Sequence, residues 1–169
     1  MANEYDIVVA DGVTSLLSED EICSDCDLVL AEEGVDRDCL VSISVVGNDE
    51  IRSLNAEWRG RDAVTDVISL ECERPDDPDL APGEPCELGD IVLAPARIAE
   101  QSVGFGTTPA DECRLLLVHG MLHLLGYDHV EEDEALAMET REDELVSLLP
   151  LDAQVGHVRV TRHEAGADE

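Results

Sequence analysis

Lysine is missing from this sequence. All ten basic residues are arginine, set against 41 aspartates and glutamates, for a net charge of −31. Such a surface repels free nucleic acid at long range, so any RNA-directed function must explain how a polyanion reaches its substrate. Absent lysine hints at a GC-rich coding sequence, and excess acid at a salt-adapted surface; neither names a function. Aromatic residues make up only 2%, which leaves Leu, Val, Ile and Ala to fill the core. No apolar run approaches the roughly eighteen residues of a membrane span. The N-terminus, MANEYDIVVADG, has no basic segment followed by a long apolar one, so it does not read as a signal peptide. A cytoplasmic protein without membrane contact is expected. The six cysteines are scattered, and in a reducing compartment they read as core thiols rather than bridges. Cys23-Ser-Asp-Cys26 has redox or zinc spacing, but with no second CxxC in the chain it reads as coincidence.

What is present is enough for one domain. At 169 residues and 44% hydrophobic content the chain can bury a core without staples. Residues 5–10 (YDIVVA), 39–47 (CLVSISVVG), 65–70 (TDVISL) and 89–95 (GDIVLAP) read as strands. Helical spacing runs over 14–34. Asn48 stands where a cap would open a helix carrying Ile51, Leu54 and Trp58. Pro95 opens a third helix to about Val103, Pro109 a fourth that Gly126 stops, and an acidic amphipathic helix follows. Residues 73–88, with four prolines and many acids, read as an exposed loop. The expected fold is α+β: a small mixed four-stranded sheet surrounded by about five helices. Residues 1–150 form the domain, and 151–169 a C-terminal tail whose VGHVRVTRH could add a short edge strand.

Three of the five histidines fall in HGMLHLLGYDH, residues 119–129. His119 and His123, four apart on a helix, project from one face about a turn apart. Gly126 then ends the helix, and the chain can turn back to bring His129 towards the same point. Three neutral nitrogens with an open position for water are the layout of a catalytic zinc site. Asp128 could accept from an imidazole and fix its tautomer. The spacing is that of the metzincin peptidases, a zincin-like metal helix, with one departure: Gly120 stands where a peptidase needs its glutamate base.

These residues carry a resemblance. HGMLHLLGYDH is similar to the H-G-x-L-H-L-x-G-Y-D-H signature of the bacterial YbeY family, metal-dependent endoribonucleases of ribosomal RNA maturation. LNAEWRGRDAVTDVISL resembles that family's L-N-x-x-Y-R-x-x-D-x-x-T-D-V-L-S-F block, and LGDIVLAP its L-G-D-I stretch. Trp58 replaces Tyr, Ile68 replaces Leu, and Leu70-Glu71 replaces Phe-Pro.

The resemblance implies that His119, His123 and His129 hold one zinc ion or another divalent metal, with Arg59 facing it across a cleft. Independently of family, a guanidinium can grip a phosphate bidentately and offset charge in the transition state. Arg61 is a further phosphate-contact candidate. The implied activity is single-strand-specific cleavage of ribosomal RNA, at the 3′ end of 16S RNA and in small-subunit quality control. The implied partner is the small ribosomal subunit, with no DNA expected; the acidic surface itself complements the basic proteins of such a subunit, which are expected to recruit the chain. The alternative is a non-catalytic ribosome-assembly factor with a structural metal site, which the absent base and the charge favour. A peptidase is disfavoured by Gly120.

Overall fold

Alternation builds the middle of the sheet. In β2 (Cys39–Val45) the odd-numbered residues are buried, with half-buried Leu40, Ser42 and Ser44 between them. This strand pairs in parallel with β1 (Glu4–Val9) and β4 (Cys86–Leu93), and β4 pairs antiparallel with β3 (Val67–Glu71). The order is β1-β2-β4-β3. Among the described residues of the computed structural model five helices accompany it: α1 (Glu19–Glu32), α2 (Asn48–Arg59), α3 (Pro95–Phe105), α4 (Pro109–Leu124) and α5 (Glu132–Val146). The structure describes residues 2–128 and 130–151. His129 and the tail expected to carry an edge strand lie outside them. The fold is the mixed α+β arrangement expected from the sequence.

Local chemistry moves several boundaries. The first helix starts at Glu19 rather than near residue 14, because Ser18 and Glu21 form a capping box that satisfies both backbone N–H groups. Leu17 just before this cap and Ile22 inside the helix are both buried, the staple pattern that fixes the entry of the chain. Asn48 is not a cap but the first residue of α2; Gly47 holds the cap position and offers no side-chain bond. Gly104 lies within α3, which ends on Gly106 at φ +70°. The proline-rich loop is tied down: Arg37 donates to the carbonyls of Pro75, Ala81 and Glu84.

Successive residues on a strand face opposite ways, and the two faces bury different clusters. Val67, Ile91 and Leu93 join the large core with α1, α4 and α5. Ile68 and Val92 join a small one around Ile51 of α2. The stripe Ile51–Leu54–Trp58 overruns this small core, since Ile51 is fully buried but Trp58 is 59% exposed. An open groove of about 590 Å³ is lined by Glu4, Asp6, Glu87 and Asp90 around Ser42.

The central element is α4. It is buried from Asp111 through Leu122 and packs on α1, α3, α5, β3 and β4. Two glycines let it sit close to the sheet. A Cβ on Gly120 would lie 3.3 Å from Ile91 Cδ1. Gly89, at φ +144° where the β2–β4 register slips, would put a Cβ 2.2 Å from the Leu70 carbonyl oxygen and 3.0 Å from Leu124 Cδ2. The glycine of the L-G-D-I stretch is therefore demanded by backbone approach. Among the described residues no helix is long and apolar enough to cross a membrane.

Candidate metal centre

The histidines sit on a helix whose ends are set by sequence. Thr108 Oγ1 accepts from the Asp111 N–H at 3.1 Å, and Pro109 occupies the first helical position, where its missing N–H costs nothing. At the other end Tyr127 N–H donates to Leu122 O and Gly126 N–H to His123 O, each at 3.0 Å. This reversal requires φ > 0 at Gly126, which has φ +107°. It folds the chain back over the last turn.

His119 and His123 are brought together one turn apart. Their ring centroids lie 4.5 Å apart with planes at 84°, and their Nε2 atoms stand 3.1 Å apart. His119 is 3% exposed; His123 is half-buried. Each ring is held at its other nitrogen. His123 Nδ1 lies 3.0 Å from the Tyr127 carbonyl, which can only accept, so Nδ1 carries the proton. His119 Nδ1 meets the Glu142 carboxylate in a short contact, and a carboxylate again calls for an N–H. In the neutral rings both Nε2 atoms are then lone pairs, aimed at one another.

Two lone pairs at that distance repel unless a proton or a cation joins them. Nitrogens about 2.0–2.1 Å from a tetrahedral zinc stand roughly 3.3–3.4 Å apart, within a few tenths of an ångström of the observed 3.1 Å. The described pair therefore fits a divalent metal in both separation and tautomer. Among the described residues no group of three metal-binding side chains assembles; the third expected ligand, His129, lies outside them.

Sequence spacing points to Asp128 for this kind of role and not to Glu142. Asp128 is exposed, whereas Glu142 is 2% exposed on α5. Its signal was present: it falls in register with Met138, Leu145 and Val146, the other buried positions of α5. A glutamate on an apolar stripe needs a partner. Tyr127, whose carbonyl holds His123, has its phenol pushed up by burial first and then by a hydrogen bond to Glu33. Glu33 in turn accepts from Arg141 Nε at 2.5 Å, so α1 and α5 together brace the turn after α4.

Gly120 faces β4. A glutamate at this position would be driven into Ile91, so packing governs the place that carries the base in peptidases. Glu142 does not substitute for it, because it contacts the side of His119 opposite Nε2.

Arg59 is the last residue of α2 and half-buried, followed by Gly60 at φ +70°. Buried Asn55 shapes what comes next: its carbonyl accepts from Arg61 N–H at 3.2 Å and its amide donates to Ala63 O at 2.9 Å. Arg61 is exposed, and Arg52 is engaged with Asp62 at 2.8 Å. The Cys23/Cys26 pair is two free thiols on α1, both pushed up first by burial and then by nearby acidic side chains. Neither has the thiolate character of a redox or zinc centre.

Comparison with known proteins matches residues 14–150 to the family described as Endoribonuclease YbeY. The chain is 43% identical over 125 residues to an Endoribonuclease YbeY of Chloroflexus aurantiacus, covering 73% of this chain and 81% of the relative. It is 42% identical over 135 residues to one of Clostridium perfringens, covering 72% and 80%. Against one of Macrococcus caseolyticus it is 40% identical over 120 residues, covering 71% and 78%. The solution structure of TM1509 from Thermotoga maritima superposes with a TM-score of 0.58 at 26% identity, over 85% of this chain and 87% of that one.

Proposed function

Because the chain belongs to the Endoribonuclease YbeY family, we propose that it is a single-strand-specific, metal-dependent endoribonuclease of ribosomal RNA maturation. It acts at the 3′ end of 16S RNA and in small-subunit quality control, in the cytoplasm, with residues 1–150 as its one catalytic domain. The observation that supports this best is the pair of Nε2 lone pairs converging at 3.1 Å on the central helix.

His119, His123 and His129 would hold the ion, and an imidazole donor set suits zinc. When bound, zinc supplies Lewis acidity that activates water towards a phosphodiester. The rest is the work of side chains. Tyr127 and Glu142 keep the two imidazoles in the tautomer that offers Nε2. Arg59 grips the scissile phosphate through its planar fork and offsets charge that builds on it. Arg61 contacts the backbone beside it, and Asp128 is a further acceptor near the third histidine. Single-stranded RNA suits such a site because an unpaired backbone can be drawn into a cleft closed to a duplex.

The partners are ribosomal RNA and the small subunit with its basic proteins. The acidic groove of Glu4, Asp6, Glu87 and Asp90 favours a basic protein over free RNA as the docking partner. A second reading, an assembly factor whose metal is structural, draws on Gly120 in place of a base. Metal analysis, paired with cleavage of labelled single-stranded and duplex RNA by wild type and by His123→Ala, decides between them. The endoribonuclease carries about one zinc per chain and cuts only the single strand, and the folded His123→Ala protein does neither. Metal-loaded wild type that binds subunits without turnover leaves the assembly factor.

A further inference from the structure

We infer that Glu142 is a positioning residue of the metal site: it holds the Nδ1–H of His119 so that Nε2 is presented to the ion. This deepens the metal-dependent reading and rests on it.

The placement argues for it. Glu142 and His119 are 2% and 3% exposed, and they touch across two helices, 23 positions apart in sequence. A carboxylate can be kept in such a place only against hydrogen-bond donors and positive charge. An imidazole whose far nitrogen binds a cation is a stronger acid at Nδ1, and so a better partner for the carboxylate than an uncharged ring. The linkage runs both ways. The carboxylate makes Nε2 more electron-rich and fixes the ring plane, which is how outer carboxylates tune histidine ligands.

The pairing also has a topological consequence. The turn from α4 into α5 starts at the Gly126 reversal, fixed by Tyr127 N–H on Leu122 O. It is closed further on where Glu142 meets His119. Tyr127 and Glu142, on either side of this connection, are thus both anchored to α4. His123 has an equivalent support in the Tyr127 carbonyl, but a neutral carbonyl lacks the charge that Glu142 brings.

The test measures Zn2+ affinity by chelator competition on the full-length protein, for wild type, Glu142→Gln and His123→Ala. Glu142→Gln is nearly isosteric but gives up the charge. It should bind Zn2+ about 10–100-fold more weakly, the range found for lost outer-shell partners, with an unchanged far-ultraviolet circular dichroism spectrum. In wild type, 15N chemical shifts of the His119 ring should report Nδ1 protonated; in Glu142→Gln that proton should redistribute between Nδ1 and Nε2. Wild-type Zn2+ affinity in Glu142→Gln, alongside lost binding in His123→Ala, overturns the positioning role and leaves the metal site standing. Unchanged binding in His123→Ala as well overturns both. Should Glu142→Gln fail to fold, the wild-type shifts still decide: a His119 Nδ1 without its proton overturns the inference.

Discussion

Arg114, in the middle of the buried helix α4, sets Nη1 3.1 Å from Asp25 Oδ2 on α1, with both side chains almost wholly out of solvent. Its Nη2 reaches Glu21 Oε2 at 2.5 Å. The ion pair locks the first helix onto the helix that carries the histidines. Arg114→Leu leaves the Asp25 carboxylate buried without its cation and should cost about 3–5 kcal/mol. Asp25→Leu combined with Arg114→Leu should recover most of it, because an apolar pair needs no solvation. Urea unfolding of both variants measures this, and a double variant as weak as the single one would refute it.

The same aspartate predicts a pH dependence. Burial lifts its carboxyl from the ordinary 3.8 to about 6, although Arg114 pulls the other way. Between roughly pH 4 and pH 6 the folded protein therefore holds a proton that the unfolded chain has released. Stability from this group falls as pH rises through that window and levels off above it. The melting temperature of wild type relative to Asp25→Asn should decline from about pH 4 to about pH 7. A relative rise over that range would contradict the assignment.

Gly120 and Ile91 are coupled through the 3.3 Å that separates Ile91 Cδ1 from where a Cβ would lie. Gly120→Ala should destabilise by about 1–3 kcal/mol, as overpacked cores do. Ile91→Val removes the opposing methyl and should make the alanine cheaper than it is in the wild-type background. A double-mutant cycle with no coupling between the two positions would show that α4 can shift freely on the sheet.

For Arg59, the charge-reversal variant Arg59→Glu should abolish RNA cleavage while zinc content and melting temperature stay close to wild type. Arg59→Lys should recover only part of the rate, since a point charge lacks the planar fork. Wild-type rates in Arg59→Glu would return this residue to an ordinary helix-end arginine.

Acidity predicts how the protein finds RNA. With ten arginines against 41 acids, few phosphates can be neutralised at once, so affinity for naked single-stranded RNA should be weak. Affinity for small ribosomal subunits should be markedly tighter and should weaken with salt as acid–base contacts are screened. Anisotropy or sedimentation over a salt series compares the two. Equal affinities would rule out recruitment through a basic protein.

Much of this was legible from residue spacing. Four-residue spacing on an apolar helix placed His119 beside His123, and Gly126 announced the reversal that turns Tyr127 back onto His123. The strands were legible because Val41, Ile43 and Val45 alternate with serines. What sequence did not disclose were partners separated by many positions: Glu142 for His119, and Asp25 with Glu21 for Arg114. Local pattern marks a buried charge as odd but says nothing about which distant charge answers it. Trp58 illustrates a further limit. Periodicity gave its face of α2, yet the small core takes in Ile51 and Leu54 and stops short of Trp58, a limit that local spacing does not mark.

The position of α4 in chain order bears on how the protein is made. The four strands of the described residues precede it, ending at Leu93, and the helix that seals the larger sheet face is complete only at Leu124. During synthesis the nascent chain therefore presents Val41, Ile43, Ile91 and Leu93 on a face that lacks α4 until some thirty further residues have left the exit tunnel. Folding should be a single late event rather than a sequence of stable intermediates. Ribosome-arrested chains cut before α4 has emerged should remain protease-sensitive, and those extended past α5 should become resistant in one step. Through that interval the dense negative charge should keep neighbouring unfinished chains apart, so the acidity expected to weaken RNA binding in the mature protein should also protect the chain while it is being born.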